Sequence, residues 1–135
     1  MVARAEYRDD ILYVTAPYIG ACLSVNHYKY RGGKRTRDET LQWMQELACA
    51  VRPYSTLFHT SRAVRIVLWG HFRDNRRPDL ANLHKVIGDA LQDGLGVNDK
   101  LFQFEDGGII IGATTPQLKL DIKRIEEEQN AQTTG

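Results

Sequence analysis

A short stretch in the middle of the chain carries side chains suited to holding a divalent metal beside a phosphate group. It contains Asp79, Asn82, Lys85 and Asp89, and Asp99 follows soon after. Short carboxylates suit hard cations such as Mg²⁺, because few rotamers must be fixed to bring their oxygens to the ion. The same residues also suit a solvated helix face with Asp79 as its N-cap. Both interpretations stay open from these residues alone.

The spacing of apolar residues around this stretch predicts an amphipathic helix. Pro78 suits its first turn because proline needs no helical N–H partner there, and Gly94 and Gly96 suit its end. At about 100° per residue, the apolar side chains form one stripe and the polar ones lie on an adjoining face. The members of the stripe are Leu80, Leu83, Ile87, Ala90 and Leu91.

The stretch resembles the signature of the RusA family of Holliday junction resolvases, Asp-x-Asp-Asn-Leu-x-Lys, then Asp-Ala-Leu, then Asp-Asp. The matching segments are 79–85, 89–91 and 98–99, and Ser24-Val25-Asn26-His27-Tyr28 resembles the early Ser-x-Asn-x-Tyr element of the family. The chain departs from the pattern at Ala81 and Asn98, where the family has acids. The order of predicted elements also agrees with the family from about residue 10 to residue 124.

The resemblance implies a metal-dependent endodeoxyribonuclease that resolves four-way DNA junctions in recombination and repair, acting as a homodimer. It implies Asp79 and Asp99 as ligands of Mg²⁺, or of Mn²⁺, with Lys85, Asn82 and Asp89 completing the catalytic set. The alternative is a branched-DNA binding module with weak or no cleavage, because Ala81 replaces a ligand. A third hypothesis is a structural or assembly protein that uses the fold for dimerisation.

Positive charge is segregated although the net charge is only +1. Residues 29–37 include five Lys or Arg and no acid, and Arg73, Arg76 and Arg77 precede Asp79. Basic clusters beside carboxylates suit an enzyme that grips phosphates around a metal, although surface arginines also act as solubilisers. We expect the first segment to be a flexible loop that closes over nucleic acid. The predicted DNA-binding residues are Asn26, Tyr28, Lys34, Arg35, Arg76 and Arg77.

The remaining pattern predicts an α+β domain, a small mixed sheet with two packed helices. Residues 10–16, 63–72 and 117–123 are expected to be strands, and 101–104 and 108–112 to be strand pieces around an Asp106-Gly107 turn. Thr36 and Glu39 form a capping-box pattern that predicts the start of the first helix, which Pro53 ends. The expected order is strand, helix, strand, helix, strand, strand.

Composition places few further limits on the chain. With 135 residues and 42% apolar composition, a single domain over 1–125 with a flexible polar tail over 126–135 is expected. No long apolar run predicts a membrane span, and the first residues lack the apolar core of a signal peptide. Cys22 and Cys49 are not spaced as a metal motif. We therefore expect a cytoplasmic protein with reduced thiols and no membrane partner.

Overall fold

The computed structural model describes residues 2–126, which form five strands, two α-helices and short 3₁₀ turns. The predicted tail lies outside the described residues except for Glu126. The elements are β1 (Arg4–Arg8), β2 (Ile11–Pro17), α1 (Asp38–Val51), β3 (Ala63–Phe72), α2 (His84–Leu95), β4 (Phe102–Ile111) and β5 (Gln117–Ile125).

The strands form one mixed sheet in the order β1-β2-β5-β3-β4. Strands β3 and β4 are parallel, so the chain must return along one face of the sheet before it enters β4. Helix α2 forms part of this crossover connection. The other neighbouring pairs are antiparallel. The predicted α+β class, with a mixed sheet and two helices, is confirmed.

Both helices pack on one face of the sheet, and the core lies between the helices and the sheet. Along β3, Val64, Ile66 and Leu68 are fully buried against this layer, whereas Arg65 points to the open face. This alternation follows from the two-residue period of a strand. The same core holds residues of both helices, including Leu47 and Leu91. The layer fixes where β3 ends and therefore where the chain enters α2.

Strand β1 was not predicted. Its residues alternate between exposed and partly buried, and it pairs with β2 at the edge of the sheet. Asp9 and Asp10 connect the two strands and both have positive φ, 54° and 66°. Asp tolerates this region better than most residues, and it is the backbone that a tight two-residue hairpin requires.

Two other boundaries differ from the sequence prediction. Strand β4 runs without a break through Asp106-Gly107, where the pairing with β3 shifts register between Leu68 and Trp69. The expected turn is therefore a bulge, in which one extra residue is absorbed without ending the strand. Helix α1 begins after Arg37 and has no side-chain cap, so the predicted capping box at Thr36 is wrong.

Within residues 2–126, the two α-helices are too short and too polar to span a membrane.

Candidate functional site

A cleft of about 360 Å³ lies between the segment that follows β2 and the segment that joins β3 to α2. We call it the arginine cleft. Its walls bring together residues more than fifty positions apart in the sequence. They are Tyr18, Ala21, Ser24, Asn26, His27, Arg76, Arg77, Pro78 and Asn82.

Backbone contacts hold the two walls of the arginine cleft in place. The N–H of Val25 donates to the carbonyl oxygen of Asn82 at 2.7 Å, which ties one wall directly to the other. The Ser24 hydroxyl accepts from the N–H of Asn26 at 3.2 Å and fixes the local turn. Tyr18 packs edge-on against Phe72, with ring centroids 5.1 Å apart, so the floor is anchored to the end of β3. The cleft is therefore part of the rigid scaffold.

Arg77 is the better placed of the two cleft arginines. Its side chain keeps 35% of its accessible surface, and its Nη1 lies 3.9 Å from an Asp79 carboxylate that is 82% exposed. Nη1 also donates to the carbonyl oxygen of Pro78 at 3.3 Å. An exposed ion pair at the edge of contact distance is weak, about 0–1 kcal/mol. The guanidinium therefore keeps most of its capacity to bind an anion.

The Arg76 side chain is more exposed than that of Arg77 and is already paired with a carboxylate. Its Nη2 lies 3.0 Å from the Asp74 carboxylate, and its side chain is 90% exposed. The side-chain and backbone hydrogen bonds from Arg76 lower the pKa of Asp74. The pair lies at the surface, so an incoming anion would compete with Asp74 at little cost. Arg76 can therefore serve as a second, weaker cation.

The other polar groups of the cleft are hydrogen-bond donors or can act as such. Burial raises the pKa of the Tyr18 phenol, so its hydroxyl stays protonated at neutral pH. Asn26, His27 and Asn82 add amide and imidazole groups. Among the lining residues in the described part of the chain, none is acidic. Two arginines surrounded by neutral donors can bind a phosphate or a carboxylate.

A segment that we call the basic hairpin (residues 28–37) adjoins the cleft. It contains the predicted flexible loop. An antiparallel bridge joins Lys29 to Thr36, and the N–H of Tyr30 donates to the carbonyl oxygen of Arg35 at 2.8 Å. Arg37 donates from Nε to the carbonyl oxygen of His27 at 2.9 Å, which ties the hairpin to a residue of the cleft. Residues 31–35 at its tip form turns and bends without regular secondary structure, so the loop prediction is confirmed, whereas the flexibility of the loop stays a prediction.

Asp79 and Asp99, the predicted metal ligands, lie beyond opposite ends of α2. Asp79 precedes a 3₁₀ turn over Leu80–Leu83 that leads into α2, and its side chain makes no capping hydrogen bond. Asp99 follows α2, and its N–H donates to the Gln92 side chain in the last helical turn. Because α2 alone has 12 residues, about 18 Å separates its ends.

The remaining predicted catalytic residues divide between the cleft and the helix surface. Asn82 lines the cleft, whereas Lys85 and Asp89 pair with each other one turn apart, at 3.3 Å. Such pairs are ordinary on exposed helix faces. Within residues 2–126, no group of three or more His, Cys, Asp or Glu side chains is arranged to hold a metal ion. The predicted site has two carboxylates, so this finding does not test it, and binding of Mg²⁺ or Mn²⁺ by Asp79 and Asp99 stays a prediction.

The predicted DNA-binding residues are partly gathered at one place. Asn26, Arg76 and Arg77 line the cleft, whereas Tyr28, Lys34 and Arg35 belong to the basic hairpin. Three residues were missed as members of a site, although the sequence around the early motif already contained two of them. They are Tyr18, Ser24 and His27.

A second polar cluster lies at the start of α2, away from the cleft lining. The Nε2 of His84 lies 2.8 Å from the Asp106 carboxylate, and its ring stacks on Phe104 with centroids 4.4 Å apart. The contact joins the first residue of α2 to the bulge of β4. Sequence spacing gave no sign of it, because a bulge decides which side of the strand Asp106 faces.

The solved structures similar to this chain include two bacterial domains. The periplasmic domain of Helicobacter pylori MotB is 13% identical, covering 96% of this chain and 93% of that chain with a TM-score of 0.47. The OmpA-like domain of FopA1 from Francisella tularensis is 8% identical, covering 92% and 81%, with a TM-score of 0.41. At these TM-scores neither likeness carries a function to this chain. No family model and no curated protein matches.

These comparisons contradict the predicted membership of the RusA family. No family model matches the chain, and the solved structures named above are an OmpA-like domain and a MotB domain, not junction-resolving nucleases. The predicted endonuclease activity, the alternative of a branched-DNA binding module and the DNA partner are wrong with it. The homodimer implied by the resemblance loses its basis as well.

Proposed function

We propose that this protein is a binding protein whose arginine cleft holds a phosphate group of its ligand. The observation that carries the proposal is that Arg76 and Arg77, whose carboxylate partners Asp74 and Asp79 lie outside the lining, stand beside neutral polar groups in one cleft. Arg is well suited to this role because its planar guanidinium donates two parallel hydrogen bonds to one anion. The volume of about 360 Å³ agrees with the lower range of small-molecule sites.

The number of donors favours phosphate over carboxylate. A phosphate monoester offers three strong acceptor oxygens, whereas a carboxylate offers two. The cleft supplies more donor groups than one carboxylate can use, from Arg76, Arg77, Asn26, Asn82 and Tyr18. A phosphate can therefore accept hydrogen bonds from more of these groups than a carboxylate can. We therefore take phosphate as the ligand group.

The experiment is calorimetric titration with inorganic phosphate and with acetate at low ionic strength. The wild-type protein should bind phosphate at one saturable site and acetate more weakly. Arg77→Gln should weaken phosphate binding by about tenfold or more, because a charged hydrogen bond contributes about 1.5–3 kcal/mol. Arg77→Lys should recover only part of the loss, since an ammonium cannot donate the two parallel bonds.

Arg73→Gln is the matched control for this series. Arg73 is exposed in the same connection and carries the same charge, but it does not line the cleft. Its removal should change phosphate affinity by less than about twofold at moderate salt, because exposed charges at a distance are screened. Equal losses from the Arg73 and Arg77 substitutions would reduce the site to general surface charge and overturn the proposal.

We also propose that the protein is cytoplasmic. Its two cysteines, Cys22 and Cys49, are free thiols. Unpaired thiols suit a reducing compartment. Fractionation of cells that produce the tagged protein tests this placement, and recovery in an extracytoplasmic fraction would contradict it.

A further inference from the structure

The basic hairpin (residues 28–37) carries more positive charge than its own contacts use. Arg35 is paired with Asp38 at 2.8 Å, and the guanidinium groups of Arg35 and Arg37 both lie over the Tyr30 ring, at 5.2 and 5.3 Å. Arg31 and Lys34 flank the turn and are exposed, and neither has a carboxylate partner among residues 2–126. Cations held this close together repel each other, so a bound anion would relieve the repulsion.

The basic hairpin presents these cations at a fixed place. Gly32 and Gly33 form its turn with φ of 101° and 87°, values that suit glycine. The N–H of Asp38 donates to the Tyr30 hydroxyl at 3.2 Å, which joins the base of the hairpin to α1. Tyr30 therefore orders two arginines and ties the hairpin to the fold.

Arg37 connects the hairpin to the arginine cleft. Its guanidinium donates to the carbonyl oxygen of His27, and His27 lines the cleft. The basic hairpin therefore adjoins the cleft wall that contains His27, and its cations lie next to the cleft along the chain. A ligand with a single phosphate would use only the first part of this surface.

We propose that the ligand is a linear chain of phosphate groups, with one group in the arginine cleft and later groups on the basic hairpin. The inference rests on the proposed function, since it needs a phosphate in the cleft. It adds that the ligand is a polyanion, that the hairpin is the second contact, and that the two contacts act together. Linking two contacts in one ligand raises affinity above that of either alone.

The test compares inorganic phosphate, tripolyphosphate and long-chain polyphosphate at equal phosphate concentration. Wild-type protein should bind the long chain about tenfold more tightly than single phosphate. The double substitution Arg31→Gln and Lys34→Gln should remove most of this gain and leave single-phosphate affinity unchanged. Arg77→Gln should weaken binding of every ligand, because the cleft is common to all of them.

Lys123→Gln is the matched control, since Lys123 is an exposed cation on β5, away from the cleft and hairpin. Its removal should leave all affinities unchanged. Single phosphate bound normally, but with no gain for the chain or no loss in the hairpin variant, would overturn this inference alone. Loss of single-phosphate binding by the wild type would instead refute the proposed function. Equal binding of poly-glutamate would overturn the choice of phosphate and favour an acidic protein segment.

Discussion

At the scale of single residues, phosphate binding depends on how strongly Asp79 competes with the ligand for the Arg77 guanidinium. The two side chains are at the edge of ion-pair distance, 3.9 Å, and the carboxylate is mostly exposed. Water screens such a pair strongly. Asp79 therefore acts as a weak competitor for the guanidinium that the ligand needs.

Asp79→Asn should raise phosphate affinity by about twofold to fivefold, because the competing charge is removed while the shape is kept. The metal-ligand role implied by the RusA resemblance requires the opposite, a loss of function. Calorimetric titration at low salt measures the change. Asp93→Asn is the control, since Asp93 pairs with Arg52 at 3.4 Å outside the cleft. Weaker phosphate binding by Asp79→Asn would contradict the assignment of Asp79 as a competitor.

The sequence predicted several residues of the site, but it did not predict which of them are in contact. Arg76, Arg77, Asn26 and Asn82 were all singled out, and the cleft joins them. What could not be read was the contact of Val25 with Asn82, because it depends on how the whole sheet places two distant segments. Motif spacing suggested a metal between Asp79 and Asp99, but linker length limits only how far a chain can reach and does not fix its direction.

At the scale of elements, the packing of α1 on α2 depends on one glycine. A Cβ at Gly94 would lie 2.5 Å from Val51 Cγ2 and 2.6 Å from the carbonyl oxygen of Ala48. These distances are shorter than any van der Waals contact, and one neighbour is backbone that cannot rotate away. The close approach of the helices therefore requires glycine at this position.

Gly94→Ala should lower the free energy of unfolding by about 1–3 kcal/mol, because the helices must separate to admit the methyl group. Gly88→Ala is the matched control within α2. Its Cβ would meet the Phe104 ring at 3.5 Å, an ordinary contact, and alanine gains about 1 kcal/mol of helix propensity over glycine. Urea denaturation measures both. Equal effects from the two substitutions would show that helix packing does not depend on Gly94.

The elements with strong apolar periodicity were predictable from sequence, and those set by local pairing were not. Strand β3 matches its predicted range of 63–72, because five buried positions from Val64 to Phe72 alternate with more exposed ones. Strand β1 is an edge strand with charged ends at Arg4 and Arg8, so it lacks that signal. The basic hairpin was predicted as a loop because glycines and charges dominate its composition, and its tip is a loop, but the contacts of Arg35 and Arg37 with the Tyr30 ring could not be predicted.

At the scale of the whole molecule, residues 2–126 share one sheet and one core, and the single domain over 1–125 stays a prediction. We expect unfolding to be one cooperative transition. Trp43 lies in α1 and is 4% exposed, whereas Trp69 lies in β3 on the sheet face opposite the two described helices. Fluorescence of Trp43→Phe and Trp69→Phe variants, compared with far-ultraviolet circular dichroism, should give coincident urea curves within each variant. Separate transitions would indicate two independent units.

The global arrangement also explains why the site could be recognised only in part from the sequence. The cleft exists because β2 and β3 end near each other across β5, which brings residues 18–27 beside residues 76–82. Strand order is a property of the whole chain, and the same motifs would lie apart in another order. The α+β class followed from the element pattern, but the convergence at the cleft did not.

The most direct test of the account is a two-dimensional ¹H–¹⁵N NMR titration of the wild-type protein and Arg77→Gln with inorganic phosphate. The account predicts saturable shifts confined to the amides around Val25, Asn26 and Asn82 and to the Arg77 Nε–H signal. In Arg77→Gln these backbone shifts should require about tenfold more phosphate. Shifts that never saturate, that spread over all basic residues, or that persist unchanged in Arg77→Gln would contradict a phosphate site in the arginine cleft.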